Sequence, residues 1–164
     1  GLVGSEMCIR DRIPDLKMKD GIPTGLPEII SSYEAELVEA KENLNIKGKT
    51  LEKANVENPT WQLYYDQRRV ELYTLLKHFD SLVASTRGKL FKSYTETYAR
   101  DITDRAKEQY INNEPAYLSM YEIYLEIKDI HDRYQAVCDA YKSRGYALNN
   151  ITKIRVASLE DAII

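Results

Sequence analysis

The chain of 164 residues is poor in the residues from which metal sites and redox chemistry are built, with two cysteines, two histidines and one tryptophan. Cys8 lies in the opening stretch GLVGSEMCIRDR (1–12), which resembles a translated sequencing linker; a disordered N-terminus is the alternative. Set aside as non-native, that stretch takes Cys8 with it. Cys138 alone builds neither a disulfide framework nor a cysteine metal site. His78 and His131 have no His or Cys partner at ligand spacing, and His131 falls beside an apolar helical stripe, where it reads as a core histidine. A Gly-rich phosphate loop, a nucleophile elbow and a paired-carboxylate arrangement are all missing. The expectation is a protein that is not an enzyme and carries no metal or cofactor. No apolar run approaches the ~20 residues that a membrane-spanning helix needs.

What the chain does have is charge, unevenly spread. It is 43% hydrophobic and 30% charged, with a net charge of −3, which argues against nucleic-acid binding through overall charge alone. From Pro59 to Arg100 the balance is +3, from Glu114 to Tyr141 it is −4, and from Lys142 to the end it is +2. Two basic zones flank an acidic one.

The stretch Asn58–Tyr98 organises the rest. Asn58 suits a helix N-cap and Pro59 the first turn, where a missing N–H costs nothing. Beyond them Leu72, Leu76, Phe79, Val83, Leu90 and Tyr94 recur at threes and fours, with Thr86 in the remaining stripe position. No proline interrupts this heptad-like pattern. Such a helix would reach about 60 Å at 1.5 Å per residue, the spine of an elongated bundle or coiled coil.

Upstream, 13–26 contains two prolines and two glycines before Pro27 and reads as a loop. Pro27 opens a helix with Ile30, Tyr33, Leu37, Ala40 and Leu44 on one face, and the pattern resumes at Leu51 and Ala54. The helix either breaks at Gly48 or continues through it at a cost of ~1 kcal/mol, and continuity is the reading adopted. Downstream, Asp101–Asn113 predicts a short helix ending at the Asn pair. Glu114 then caps a helix begun by Pro115, striped by Ala116, Met120, Ile123, Ile127, Ile130, Tyr134, Val137 and Tyr141. Lys142 and Arg144 suit a last turn and Gly145 a C′ position. Tyr146–Ile164 reads as a further helix, apolar on more than one side, so that Ile151, Ile154 and Leu159 are candidate oligomerisation residues. The fold class expected is all-α: an oligomeric, elongated helical bundle or coiled coil of about three long helices plus shorter ones, with no strand. Residues 27–164 are expected to form a single helical domain.

Among 13 tyrosines, Tyr33, Tyr94, Tyr134 and Tyr141 hold stripe positions and read as core, while Tyr64, Tyr65, Tyr98 and Tyr110 are open to stacking on unpaired bases. The sharpest local feature is Arg87-Gly88-Lys89-Leu90-Phe91-Lys92. Gly88 inside a helix suggests that something approaches the backbone there, either a neighbouring helix or a phosphate. Arg87, Lys89 and Lys92 are the candidate nucleic-acid contacts, set against a solvated basic face. On one helix Arg87 and Lys89 point ~200° apart, whereas Lys89 and Lys92 share a side.

Lys142-Ser143-Arg144-Gly145-Tyr146-Ala147-Leu148, followed by Ile151 and Arg155, resembles the C-terminal signature of the phage recombination mediator family UvsY. Arg87-Gly88-Lys89-Leu90 would correspond to the family's Lys-Ala-Arg-Leu motif, with Gly for Ala and the two charges exchanged. The resemblance runs roughly from Asn58 to Leu159; the C-terminal piece is its specific part, and 13–56 has no counterpart. It implies a ring-forming homo-oligomer that binds single-stranded DNA and helps load a phage recombinase onto DNA coated by single-strand-binding protein. Its setting would be the cytoplasm of a phage-infected bacterium, in DNA recombination and repair. The rival reading is a structural phage coiled-coil scaffolding or assembly protein without DNA binding.

Overall fold

Two glycines with φ of 79°, Gly25 and Gly48, bracket the first helix. An L side chain rarely adopts this backbone conformation, and each glycine turns the chain where the helical pattern could otherwise run on. The structure, a computed structural model, describes residues 18–19, 22–97 and 102–157. Before Gly25, β1 (Met18–Lys19) pairs antiparallel with β2 (Ile22–Pro23), with Met18 opposite Pro23. This small hairpin replaces the loop expected there and is the strand pattern that periodicity did not show. Helix α1 (Leu26–Leu44) then buries Ile30, Tyr33 and Ala40.

The expected passage of this helix through Gly48 does not occur. The Asn45 side chain accepts from the Lys47 N–H at 2.9 Å, and Lys49 N–H closes a turn on the Ile46 carbonyl at 3.0 Å. The local side-chain bond competes with the helix, as asparagine characteristically does. Thr50 restarts the chain by accepting from the Lys53 N–H at 3.2 Å, and α2 (Leu51–Thr97) runs for 47 residues. Asn58 is therefore not a cap and Pro59 does not open the helix: both lie inside it. An interior proline forfeits one backbone hydrogen bond and costs ~3 kcal/mol, so tertiary contacts must offset it.

Helix α3 (Asp104–Ile111) is capped by Thr103, whose hydroxyl accepts from the Ala106 N–H, and it ends at Asn112. Helix α4 (Pro115–Val156) is one continuous helix of 42 residues. Gly145 is thus interior and not a C′ residue, and the separate helix expected from Tyr146 is the last part of α4. A Cβ on Gly145 would meet Asn58 Nδ2 at 3.0 Å, so the glycine is there for the close approach of α2.

The elongated coiled coil of about three long helices is accordingly corrected to an all-α bundle of four helices among the described residues, two long, one of 19 residues and one of 8. The stripe that suggested a coiled coil is not a uniform seam. Leu72 and Phe79 are buried, but Leu76, Val83, Leu90 and Tyr94 are only half-buried, and Leu75, off the stripe, is buried.

The chain divides into two compact units, each built from two separate stretches: residues up to Leu26 with Glu71–His131, and Pro27–Val70 with the chain from Asp132 onward. In the first, Leu72, Leu75, Phe79, Ile111, Ile127 and Ile130 are buried. In the second, α1, the start of α2 and the end of α4 enclose a core of large aromatics: Tyr33, Tyr65, Tyr134 and Tyr141. Tyr65 stacks on Tyr141 with centroids 5.4 Å apart, and Tyr33 meets Tyr134 edge-on at 5.8 Å.

The two helix-interior glycines have different environments, and one substitution series separates them. Nothing lies within 4 Å of a Cβ built on Gly88, so Gly88→Ala should stabilise the chain by up to ~1 kcal/mol in urea denaturation, the usual helix-propensity gain. Gly145→Ala should show no such gain, because Asn58 is held in place from both ends.

Candidate nucleic-acid and self-association surfaces

Helical geometry divides the basic motif. Arg87, Phe91 and Tyr94 line the side of α2 that receives α3. Arg87 Nη2 lies 3.3 Å from Glu108 Oε1, Lys107 sits over the Phe91 ring at 5.1 Å, and Tyr94 packs against Tyr110 at 5.9 Å. The Tyr94 hydroxyl also donates to the Glu114 carboxylate. Lys89 and Lys92 stay exposed on the opposite side, where Lys92 lies 3.7 Å from Glu96 one turn on. The three candidate phosphate contacts are therefore not brought together. Two share a solvent face; the third is engaged by an acid. Both ion pairs are solvent-exposed, and such pairs are worth at most about 1 kcal/mol, so a phosphate can compete for these cations. Among the described residues nothing lies within 4 Å of a Cβ built on Gly88, so no neighbouring helix makes the close approach expected there.

The Arg144-Gly145 segment has a structural task. Arg144 Nε donates to Asn58 Oδ1 at 2.6 Å, and Nη1 donates to the carbonyls of Asn43 and Leu44 at 2.8 and 2.9 Å. A cation is thus placed on the last carbonyls of α1, where the helix dipole is negative. Asn58, only 6% exposed, donates in turn to the Tyr141 carbonyl at 3.2 Å. These bonds account for a proline tolerated at position 59. Downstream, Ile151 and Ile154 are 37% and 45% exposed, beside exposed Lys153 and Arg155. Leu159 lies outside the described residues. Leu148, by contrast, is core, and Asn55 donates to Thr152 at 3.4 Å, so part of the expected oligomerisation segment packs on its own chain.

Of the four tyrosines considered for base stacking, Tyr65 is buried, Tyr64 is half-buried, Tyr110 is half exposed, and Tyr98 lies outside the described residues. Sequence reasoning missed a further aromatic set. Tyr117, Tyr121 and Tyr124 stack as a ladder, with centroids 5.8 and 5.9 Å apart and planes within 9° and 18° of parallel. The signal was available, since spacings of four and three put the rings on one face.

The remaining polar cluster is internal. Glu36 accepts from Tyr64 at 3.1 Å and from Tyr134 at 3.4 Å, and lies 3.3 Å from Arg68 Nε, in a side chain only 7% exposed. Burial pushes the Tyr134 hydroxyl well above its ordinary range, helped by the Glu36 charge, and also raises Tyr64 and Tyr141. The Cys138 thiol is raised by burial as well, which makes it inert at neutral pH. This cluster ties α1, α2 and α4 together. Among the described residues no group of three His, Cys, Asp or Glu could hold a metal ion, and no helix is long and apolar enough to cross a membrane.

Comparison with family models, curated proteins and solved structures finds no match for this chain.

The buried tyrosines make two expectations. The Tyr65 hydroxyl is pushed up to about 12, mainly by burial, from an ordinary 10.0. Because the folded state disfavours the phenolate, this stabilisation is complete below pH 10 and is lost as the pH rises from about 10 towards 12. Phenolate absorbance of the buried tyrosines should therefore appear together with loss of helical circular dichroism, not before it. Tyr134→Phe removes the 3.0 Å bond to the Tyr33 carbonyl and should cost about 1–2 kcal/mol in urea denaturation. Tyr141→Phe should cost nothing measurable, since its buried hydroxyl has no partner among the described residues.

Proposed function

We propose that this chain is a non-enzymatic, self-associating mediator that binds single-stranded DNA. The observation that carries the reading is the far end of α4, where exposed Ile151 and Ile154 stand beside exposed Lys153 and Arg155. From Lys142 to Val156 the charge is +4 with no acidic residue. A subunit that associates through such an end repeats its cations at high effective concentration, and the assembly then holds a polyanion that one subunit binds weakly. Lys89 and Lys92 supply a second exposed pair of cations, with Arg87 contributing less because it lies on the other side of α2, against α3.

The resemblance of Lys142–Leu148 to the recombination mediators extends the reading to a ring-forming homo-oligomer. Its partners would be a recombinase and DNA coated by single-strand-binding protein, in the cytoplasm of a phage-infected bacterium. The acidic run from Glu114 to Tyr141 keeps DNA to the basic zones on either side of it. A structural assembly protein without DNA affinity is the competing outcome.

A salt titration of fluorescent oligo-dT binding tests the proposal. Each phosphate contact on a single strand contributes ~0.7 to the log–log slope, so Lys89→Ala/Lys92→Ala should flatten it by about 1.4. The loss should be alike on every oligonucleotide sequence, since phosphates carry no base information. Arg87→Ala should change the slope much less. A wild-type chain without affinity for oligo-dT would overturn the DNA reading in favour of the assembly protein. A double variant with unaltered slope would remove Lys89 and Lys92 from it.

A further inference from the structure

Tyr146 differs from every other described tyrosine. Each of the others has an aromatic ring beside it, whether in the core of the second unit, against α3 or along the ladder at the start of α4. Tyr146 has none among the described residues and is 62% exposed, more than any of them. Its place on α4 accounts for this. An α-helix turns by ~100° per residue, so Tyr146 stands about 140° round from buried Tyr141 and about 200° round from buried Leu148. The side of α4 that meets α1 and α2 is the side away from it.

The same turn per residue gathers a set of polar side chains around that ring. Lys142, Tyr146, Asn149 and Lys153 follow at spacings of four, three and four, within an arc of ~60°. All four are exposed. None of their side chains has a hydrogen-bond, ion-pair or ring partner among the described residues. No acidic residue occurs from Lys142 to Val156. Asp139, one turn before Lys142, accepts from Gln135 at 3.2 Å and marks the upstream end of the face. Each of the other basic clusters loses part of its charge to a neighbouring acid, Arg87 to Glu108 and Lys92 to Glu96.

The order cation, aromatic ring, carboxamide, cation is what an unpaired strand requires. Lysine takes phosphate oxygens as a point charge. A free aromatic face stacks on any base, which a duplex keeps hidden between its neighbours. A carboxamide donates and accepts, so Asn149 can bond a base edge or a sugar. From Lys142 to Lys153 the face is about 16 Å long at 1.5 Å per residue. That covers about five nucleotides at the 3.4 Å spacing of a stacked strand, and fewer where the strand is stretched.

We propose that Lys142, Tyr146, Asn149 and Lys153 form a contact face for single-stranded DNA, on which a base stacks against Tyr146 between phosphates held by the two lysines. The proposal rests on the DNA reading put forward above and adds base stacking to it. Ile154 and Ile151 stand about 80° and 140° round the helix from Tyr146, so strand and neighbouring subunit use different sides of one helix end.

Two kinds of variant separate stacking from charge. On a short oligo-dT, Tyr146→Ala should weaken binding about tenfold and leave the log–log salt slope unchanged, because a neutral ring displaces no counterion. Tyr146→Phe keeps the ring and should bind as the wild type does. Lys142→Ala/Lys153→Ala should flatten the slope by about 1.4. All these positions are exposed, so helical circular dichroism and sedimentation should match the wild type in every variant. Irradiation with iodouracil-substituted oligo-dT should place a crosslink on Tyr146. A wild type that binds oligo-dT while Tyr146→Ala binds it equally would overturn this face and leave the DNA reading to Lys89 and Lys92. Tyr146→Phe falling as far as Tyr146→Ala would overturn the stacking. A Tyr146→Ala chain that loses binding only together with its assembly would overturn the direct contact. A wild type without affinity for oligo-dT would overturn both this face and the reading on which it rests.

Discussion

Arg144 is the group on which the second unit depends. A single guanidinium bonds two terminal carbonyls of α1 and the side chain of Asn58 in α2, from a position near the end of α4. It also lies over the Tyr141 ring at 4.6 Å. Three helices thus share one planar, permanently charged donor, a task that lysine, with its compact ammonium, could not perform. The consequences spread outward. Asn58 is oriented by it, Gly145 must be bare to admit Asn58, and Pro59 is carried inside a helix that local preference would have begun only there.

Tyrosine takes the place that leucine holds in an ordinary helical bundle. An aliphatic seam permits neighbouring helices to slip by a turn at modest cost, whereas a hydroxyl bonded to one carbonyl does not. Tyr134 on the Tyr33 carbonyl, Tyr64 on Glu36 and Asn43 on the Tyr65 hydroxyl each tie a residue of one helix to a residue of another. Buried polar groups are costly unless satisfied, so a register that breaks these bonds is penalised more than a register that merely repacks methyl groups. The core is therefore specific as well as apolar.

Much of the helical content was legible from local chemistry. Pro27 and Pro115 stand at the starts of α1 and α4, and the Asn pair at 112–113 marks the end of α3. Where the sequence misled, the same residues served a distant purpose. Asn58-Pro59 has the appearance of a helix start, and only Arg144, 86 residues away, reveals that it is not one. Lys142-Ser143-Arg144-Gly145 has the appearance of a helix end for the same reason: Arg144 and Gly145 face α1 and α2, not a terminus. Of the basic motif, the opposition of Arg87 to Lys89 follows from helical arithmetic alone. Its engagement by Glu108 does not, because nothing local indicates on which side α3 will lie. The tyrosine ladder at 117, 121 and 124 is legible in the sequence, since spacings of four and three share one helix face.

The bonds that close the second unit join residues 83 to 101 positions apart. A chain made from its N-terminus presents α1 long before its partner in α4 exists, with Ile30, Tyr33 and Ala40 still uncovered. The other unit needs nothing beyond His131, so it is complete first although its stretches alternate in sequence with those of its neighbour. Loop-closure entropy rises only slowly with length, and an intervening segment that has already folded shortens the effective loop further. On this order of events the last carbonyls of α1 wait 101 and 100 residues for the Arg144 guanidinium that bonds them.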